Sequence, residues 1–171
     1  MDLPVPQDYL YNAPSGYAGD VTRSDETNVE PIKYASGQTP GSFGIPVVYN
    51  GSGEAIVWGG SNVAADFQGV LVREVPAIGG NALGGLSDVT PNVNQMLGNA
   101  VRGYVAVKCA AGTPVRGGIV YIQVTASGGV AVGEFRASSD GGNAVALSAT
   151  QAEWASNGKD ASNIAELRIA R

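Results

Sequence analysis

The sequence predicts an all-β protein, a small antiparallel β-barrel or sandwich with an extended N-terminal arm. Three observations predict it. Glycine supplies 25 of 171 residues and charged residues only 15%, against about 7% and 25% in ordinary domains, a composition suited to many turns and a surface sparing in charge. Short runs of β-branched and aromatic residues recur from Ile45 onward between clusters of Gly, Asn, Asp and Ser. The first forty-odd residues carry prolines at 4, 6, 14, 31 and 40 together with four tyrosines.

Residues 1–44 form the arm. Proline fixes φ and has no N–H, so this spacing predicts neither a helix nor a central strand. Yet Tyr9, Leu10, Tyr11, Tyr17 and Tyr34 are too apolar for a purely solvating tail. An extended arm that docks these five side chains on another surface fits best, and they are the candidate partner-binding residues. That surface is the arm's own domain, a sister subunit or a larger assembly.

The body, 45–171, has the length of one domain and is expected to fold alone. It opens with IPVVYN (45–50), the turn signal NGSG and EAIVWG (54–59), which read as a β-hairpin. DFQGVLVREV (66–75) supplies a third strand. From about 76 to 100 glycine and proline are too dense for a long element, and a loop of that length in a compact domain is usually functional. Within it VNQML, following Thr90 and Pro91, is expected to make at most one helical turn.

Four more strand signals follow at short spacing: RGYVAVKC, GGIVYIQVTA, VAVGEFRA and NIAELRIAR. In the first, Val101, Gly103, Val105, Val107 and Cys109 fall on one side; in the last, Ala165, Leu167 and Ile169 do. Between the last two, ALSATQAEW offers at most a helical turn and places Trp154 as a core residue. Internal repetition is limited to VRG at 101–103 and again at 115–117, too little for a solenoid.

Charge and residue inventory narrow the function. Ten basic against fifteen acidic residues give −5, and no two cations adjoin, so the clustered cations that neutralise phosphates are missing and no nucleic-acid ligand is expected. Histidine is absent, which removes the commonest general base and metal ligand. A single cysteine, Cys109, allows no internal disulfide and no zinc cluster. The chain begins with no basic segment followed by an apolar run, and no stretch approaches eighteen apolar residues. No membrane association is therefore expected, and synthesis in a reducing cytoplasm is.

The chemistry-bearing residues do not assemble into a motif. With no histidine, a nucleophile would need Lys33, Lys108, Lys159 or a carboxylate as its base. Cys109 lies on the apolar side of a strand, where a thiol behaves as a small hydrophobe. Glu54, Asp66, Glu74 and Glu134 are candidate acids for a two-carboxylate hydrolase, but their spacing selects no pair. SDGGN (139–143) and NGKD (157–160) lack the ligand series of a calcium loop and read as turns. GGNALGG (79–85) has neither the dinucleotide nor the P-loop spacing. The sequon Asn50-Gly51-Ser52 falls in the expected hairpin turn. No catalytic residue, cofactor or metal site is expected, and the protein is read as a non-enzyme.

The residues from 105 to 169 resemble a known family. Val105-Ala106-Val107-Lys108, then Ala111-Gly112-Thr113-Pro114-Val115, Gly118 and Val120-Tyr121 make strand, turn and strand. Gly128-Gly129, Gly133-Glu134-Phe135-Arg136, Ala152 with Trp154, and the closing Ile164-Ala165-Glu166-Leu167-Arg168-Ile169 follow. This pattern is similar to that of the structural cement, or head decoration, proteins of tailed bacteriophages. The resemblance implies a β-rich virion protein, often a homotrimer, made in the host bacterial cytoplasm. It implies binding to the major capsid protein on the exterior of the icosahedral head, clamping adjacent capsid subunits and stabilising the shell. It carries no catalytic residues. Two other classes stay open: a virion fibre or receptor-binding β domain, and a carboxylate-dependent hydrolase.

Overall fold

The computed structural model describes residues 16–73, 91–93 and 96–170. Ten strands run in chain order: β1 (Asn28–Ile32), β2 (Pro46–Tyr49), β3 (Ala55–Val57), β4 (Gly69–Val72), β5 (Leu97–Ala111), β6 (Tyr121–Gln123), β7 (Phe135–Arg136), β8 (Ala144–Ala146), β9 (Ala152–Trp154) and β10 (Ile164–Ile169). Two single 3-10 turns, Ser24–Glu26 and Ala64–Asp66, are the helical content of the described residues. The protein is all-β, as the composition predicts, and its mixed sheet is that of a sandwich and does not close. The main path is β3-β2-β4-β5-β7-β6-β8, with β1 and β10 also on β5 and β9 on β10.

The fifteen-residue β5 is the spine. Its first part pairs with β1 on one edge and β4 on the other, its middle with β10, and its end, in parallel, with β7. Such a long strand serves several neighbours only by bending. Opposite Val29 and Asn28 the register passes from Ala100 to Arg102, leaving Val101 as a bulge. Two residues on, Gly103 takes φ +116°, and a Cβ there would collide with Thr27. Thr27 accepts the Tyr104 N–H on its hydroxyl at 3.0 Å and donates to the Arg23 carbonyl at 2.7 Å, so the bend is fixed from both sides.

The hairpin of β2 and β3 is as the sequence predicts. Asn50 Oδ1 accepts the N–H groups of Ser52 and Glu54 at 2.9 Å each, an Asx-type closure that explains why asparagine opens this turn. The expected third strand is confined to Gly69–Val72, since Ala64–Asp66 is a 3-10 turn. The expected loop at about 76–100 also differs: Leu97–Ala100 belong to β5, while residues 74–90, 94 and 95 lie outside the described residues. ALSATQAEW, expected to give at most a helical turn, opens at Ala146, the end of β8, and closes in β9, with a tight turn from Ser148 to Gln151 between them.

Two apolar clusters hold the molecule. The larger gathers Trp58, Phe67, Val70, Val72, Val105, Val107, Cys109, Ile122, Phe135, Trp154, Leu167 and others. The smaller gathers Ile32, Tyr34, Phe43, Val47, Ala55, Leu71 and Leu97. Neighbouring residues of one strand serve different clusters, Val47 against Val48 and Leu71 against Val70 and Val72, so this part of the sheet is covered on both faces. Continuous apolar runs such as Val-Leu-Val are the sequence mark of such a strand.

The N-terminal region departs from the expected arm. β1 forms despite Pro31 because it is paired only with β5, an edge position where a missing N–H is tolerated. Ala55 N–H bonds the Lys33 carbonyl and Ala35 N–H bonds the Ala55 carbonyl, so the chain after β1 adds to β3 at Tyr34. Ile32, Tyr34 and Phe43 then fill the smaller cluster. Residues 16–44 are built into the body rather than extended from it.

Candidate functional site

Of the five aromatic and apolar residues expected to bind a partner, Tyr9, Leu10 and Tyr11 lie outside the described residues. Tyr34 is 2% exposed and packs inside the chain's own smaller cluster. Of the three surfaces left open for it, Tyr34 docks on the chain's own domain rather than on a partner: burial of the ring binds the N-terminal segment to its own sheet. Burial also pushes the phenol's pKa far up, keeping it neutral. Tyr17 is the described member that faces outward, 44% exposed. The Arg73 guanidinium lies 5.1 Å from its ring centroid and 3.7 Å from Asp20, whose carboxylate accepts the Tyr17 N–H at 2.7 Å.

From Tyr17 the segment is stitched along β5. Gly19 N–H bonds the Ala106 carbonyl at 2.7 Å, Ala106 N–H the Asp20 carbonyl at 2.9 Å, and Thr22 N–H the Tyr104 carbonyl at 3.1 Å. Arg23 closes this stretch. Its guanidinium stacks 3.8 Å from the Tyr104 centroid and grips Glu166 of β10, Nη2 to Oε2 at 2.9 Å and Nε to Oε1 at 3.3 Å. The Thr22 hydroxyl donates to the same carboxylate at 2.6 Å. The sequence does not betray this latch, because its partners are separated by more than 140 residues and no local pattern links them.

Beside the latch, an open groove of about 550 Å³ runs between Asp25–Asn28 and Arg168–Ala170, with Gly103 as part of its floor. A second, of about 460 Å³, is lined by Asn28, Glu30, Tyr49, Gln68, Val101 and Arg102. Both are open to solvent and lined by polar and apolar groups together.

The candidate chemical groups are committed elsewhere. Glu54 accepts from the Asn50 amide, Asp66 accepts Val63 N–H and the Asn62 amide, and Glu134 pairs with Lys108 at 3.1 Å while accepting Ala131 N–H. Glu74 lies outside the described residues. Lys159 donates to the Cys109 carbonyl. The Cys109 thiol is fully buried and its pKa is raised by that burial, so it packs as a hydrophobe. The SDGGN turn ties the sheet together, since Asp140 pairs with Arg136 at 2.7 Å and accepts from Gln123 at 2.9 Å, while Arg136 also donates to Gln123 Oε1 at 2.7 Å. NGKD is likewise a turn, Asp160 Oδ1 accepting Ser162 and Ile164 N–H and Asn157 accepting Arg116 N–H. No group of three or more acidic or cysteine side chains that could hold a metal occurs among the described residues.

The body is all-β, and Glu54, Asp66, Glu134, Asp140 and Lys159 each hold a hydrogen-bond or ion-pair partner within it. A family model described as "Structural cement protein (E217 gp24/Pam3 gp6)" matches residues 5–170, and the chain belongs to that family of phage structural cement proteins. Among solved structures, a chain from "The capsid of Myoviridae Phage XM1" superposes with a TM-score of 0.64 at 18% identity, over 97% of each chain, a likeness of fold. No curated protein matches. The protein is a capsid-stabilising structural component of a virion, and its family role is to bind capsid proteins. No helix among the described residues is long and apolar enough to cross a membrane.

Proposed function

We propose that this cement protein attaches to the exterior of the icosahedral head as a homotrimer and clamps adjacent major capsid proteins. In this reading Tyr9, Leu10, Tyr11 and Tyr17 contribute to the contact. The observation that carries it is the rigid anchoring of the segment beginning at Tyr17, with that ring left outward. Whatever residues 1–15 grasp is thereby coupled to the sheet through β5.

Three linked subunits would convert weak single contacts into firm attachment through effective concentration. The net charge of −5 suits a position outside the shell, away from packaged DNA, and no catalysis or direct nucleic-acid contact is assigned to the chain. The buried, unpaired Cys109 suits a protein made in the reducing cytoplasm of the bacterial host.

Particles lacking the protein should assemble and expand but release DNA at lower temperature or under osmotic shock, and purified protein should restore them. Immunogold labelling of intact particles should decorate the outer head surface. Particles equally robust with and without the protein would refute the clamp, and labelling confined to the tail would favour a fibre.

A further inference from the structure

Outside the latch and the grooves, one described turn presents large apolar side chains from a fixed backbone. Val115 is 63% exposed and Ile119 is 55% exposed, and they flank the turn at residues 115–118. The backbone around them is held on every side. Gly118 N–H bonds the Val115 carbonyl at 2.7 Å, Gly117 N–H the Trp154 carbonyl at 2.7 Å, Trp154 N–H the Gly118 carbonyl at 3.2 Å, and Gly158 N–H the Pro114 carbonyl at 2.8 Å. Asn157 Oδ1 accepts Arg116 N–H at 3.0 Å, and the Trp154 indole N–H donates to the Ile119 carbonyl at 3.1 Å. Two branched apolar side chains on so fixed a loop gain nothing for the fold by facing water. They would lose little conformational entropy on meeting a partner, which is the property of a preorganised binding anchor.

Between them in sequence, Arg116 is exposed and, like Lys33, Arg102 and Lys159, forms no ion pair among the described residues. A cation between two apolar side chains is complemented by a carboxylate at the rim of an apolar recess. The chain belongs to a family of structural cement proteins, whose role is to bind capsid proteins, so a capsid protein is the occupant that this membership supplies. We infer that the Val115–Ile119 turn is a capsid-docking knob that seats in a shallow apolar recess of the major capsid protein, with Arg116 paired to an acidic residue at its rim. The inference rests on the capsid-binding reading and names a surface for it.

The test is co-sedimentation of purified protein with particles that lack it. Val115→Ser/Ile119→Ser should weaken attachment by about tenfold or more, the scale of a lost interface anchor. Arg116→Glu should weaken it similarly, and the affinity of Arg116→Ala should depend less on salt than that of the natural chain. Val63→Ser, which alters a comparably exposed side chain on another turn, should change nothing. All these positions are exposed, so thermal unfolding should be unaltered; Arg116→Glu carries the test alone if the double variant unfolds. Attachment unchanged in both would overturn the knob while leaving the capsid reading intact. Loss of attachment together with dissociation of the free oligomer would overturn it too, by marking the turn as a contact between copies. Failure of the natural chain to sediment would sink the capsid reading and the knob with it.

Discussion

Trp154 shows at the scale of one residue how sequence position and burial connect. It is 1% exposed, pairs with Leu167 across β9 and β10, and satisfies its indole N–H on the Ile119 carbonyl. Trp154→Ala should cost about 3–5 kcal/mol, the range for deleting a buried aromatic. It should also loosen the turn at 115–119; denaturant unfolding that matches the natural chain would contradict this assignment. Asp140 is a second test. Hydrogen bonds from Gln123 and then Arg136 hold its carboxyl below the usual carboxylate range. A depressed folded pKa gives stability that is complete above the unfolded value, about 3.9, and is lost as pH falls through the folded one. Asp140→Asn should therefore unfold at lower temperature than the natural chain at pH 7 and 5, with the gap closing below about pH 4. A gap that persists unchanged to pH 2 would show that the charge is not what matters.

Legibility differed between elements for physical reasons. The hairpin of β2 and β3 was readable because its turn residues and strand residues are adjacent in sequence. The alternation in β5 and β10 was readable because Val105, Val107 and Cys109, and Ala165, Leu167 and Ile169, all point into one core. β8 and β9 were not, since three-residue strands fall below any periodicity. β1 was not, because Pro31 argues against a strand until the edge position is known. Tyr17 and Tyr34 carry the same local signal, aromatic residues among prolines and glycines; only the pairing of Tyr34 with Ala55 sends one ring inward. Among the expected contact residues Tyr17 is exposed and Tyr34 is not, and the exposure of Val115 and Ile119 carries no local signal in the sequence. A consequence at this scale concerns truncation. Removing 1–15 should leave the melting temperature within a degree or two. Removing 1–44 deletes β1 and strips Ile32, Tyr34 and Phe43 from the smaller cluster, each worth about 1.5–3 kcal/mol, a large share of the roughly 5–15 kcal/mol that stabilises a domain. A chain beginning at residue 45 that melts cooperatively near the full-length value would show the second cluster to be dispensable.

For the whole molecule, the proposed clamp draws both on the folded body and on residues that precede it. The sheet, both clusters and the Arg23–Glu166 latch lie within the described residues, whereas the proline-rich start adds Tyr9, Leu10 and Tyr11 beyond the anchor at Tyr17. Fully extended, fifteen residues reach at most about 50 Å, a length sufficient for contact with a neighbouring subunit of a shell. The chain lacking residues 1–15 should consequently fold and assemble like the full chain but rebind cement-free particles more weakly, most visibly at low protein concentration, where avidity no longer compensates. Titrating both proteins onto such particles and following the temperature of DNA release measures this directly. Equal protection at every concentration would assign the clamp to the folded body alone; binding lost together with trimer formation would mean that the N-terminal residues join subunits to one another rather than to the shell.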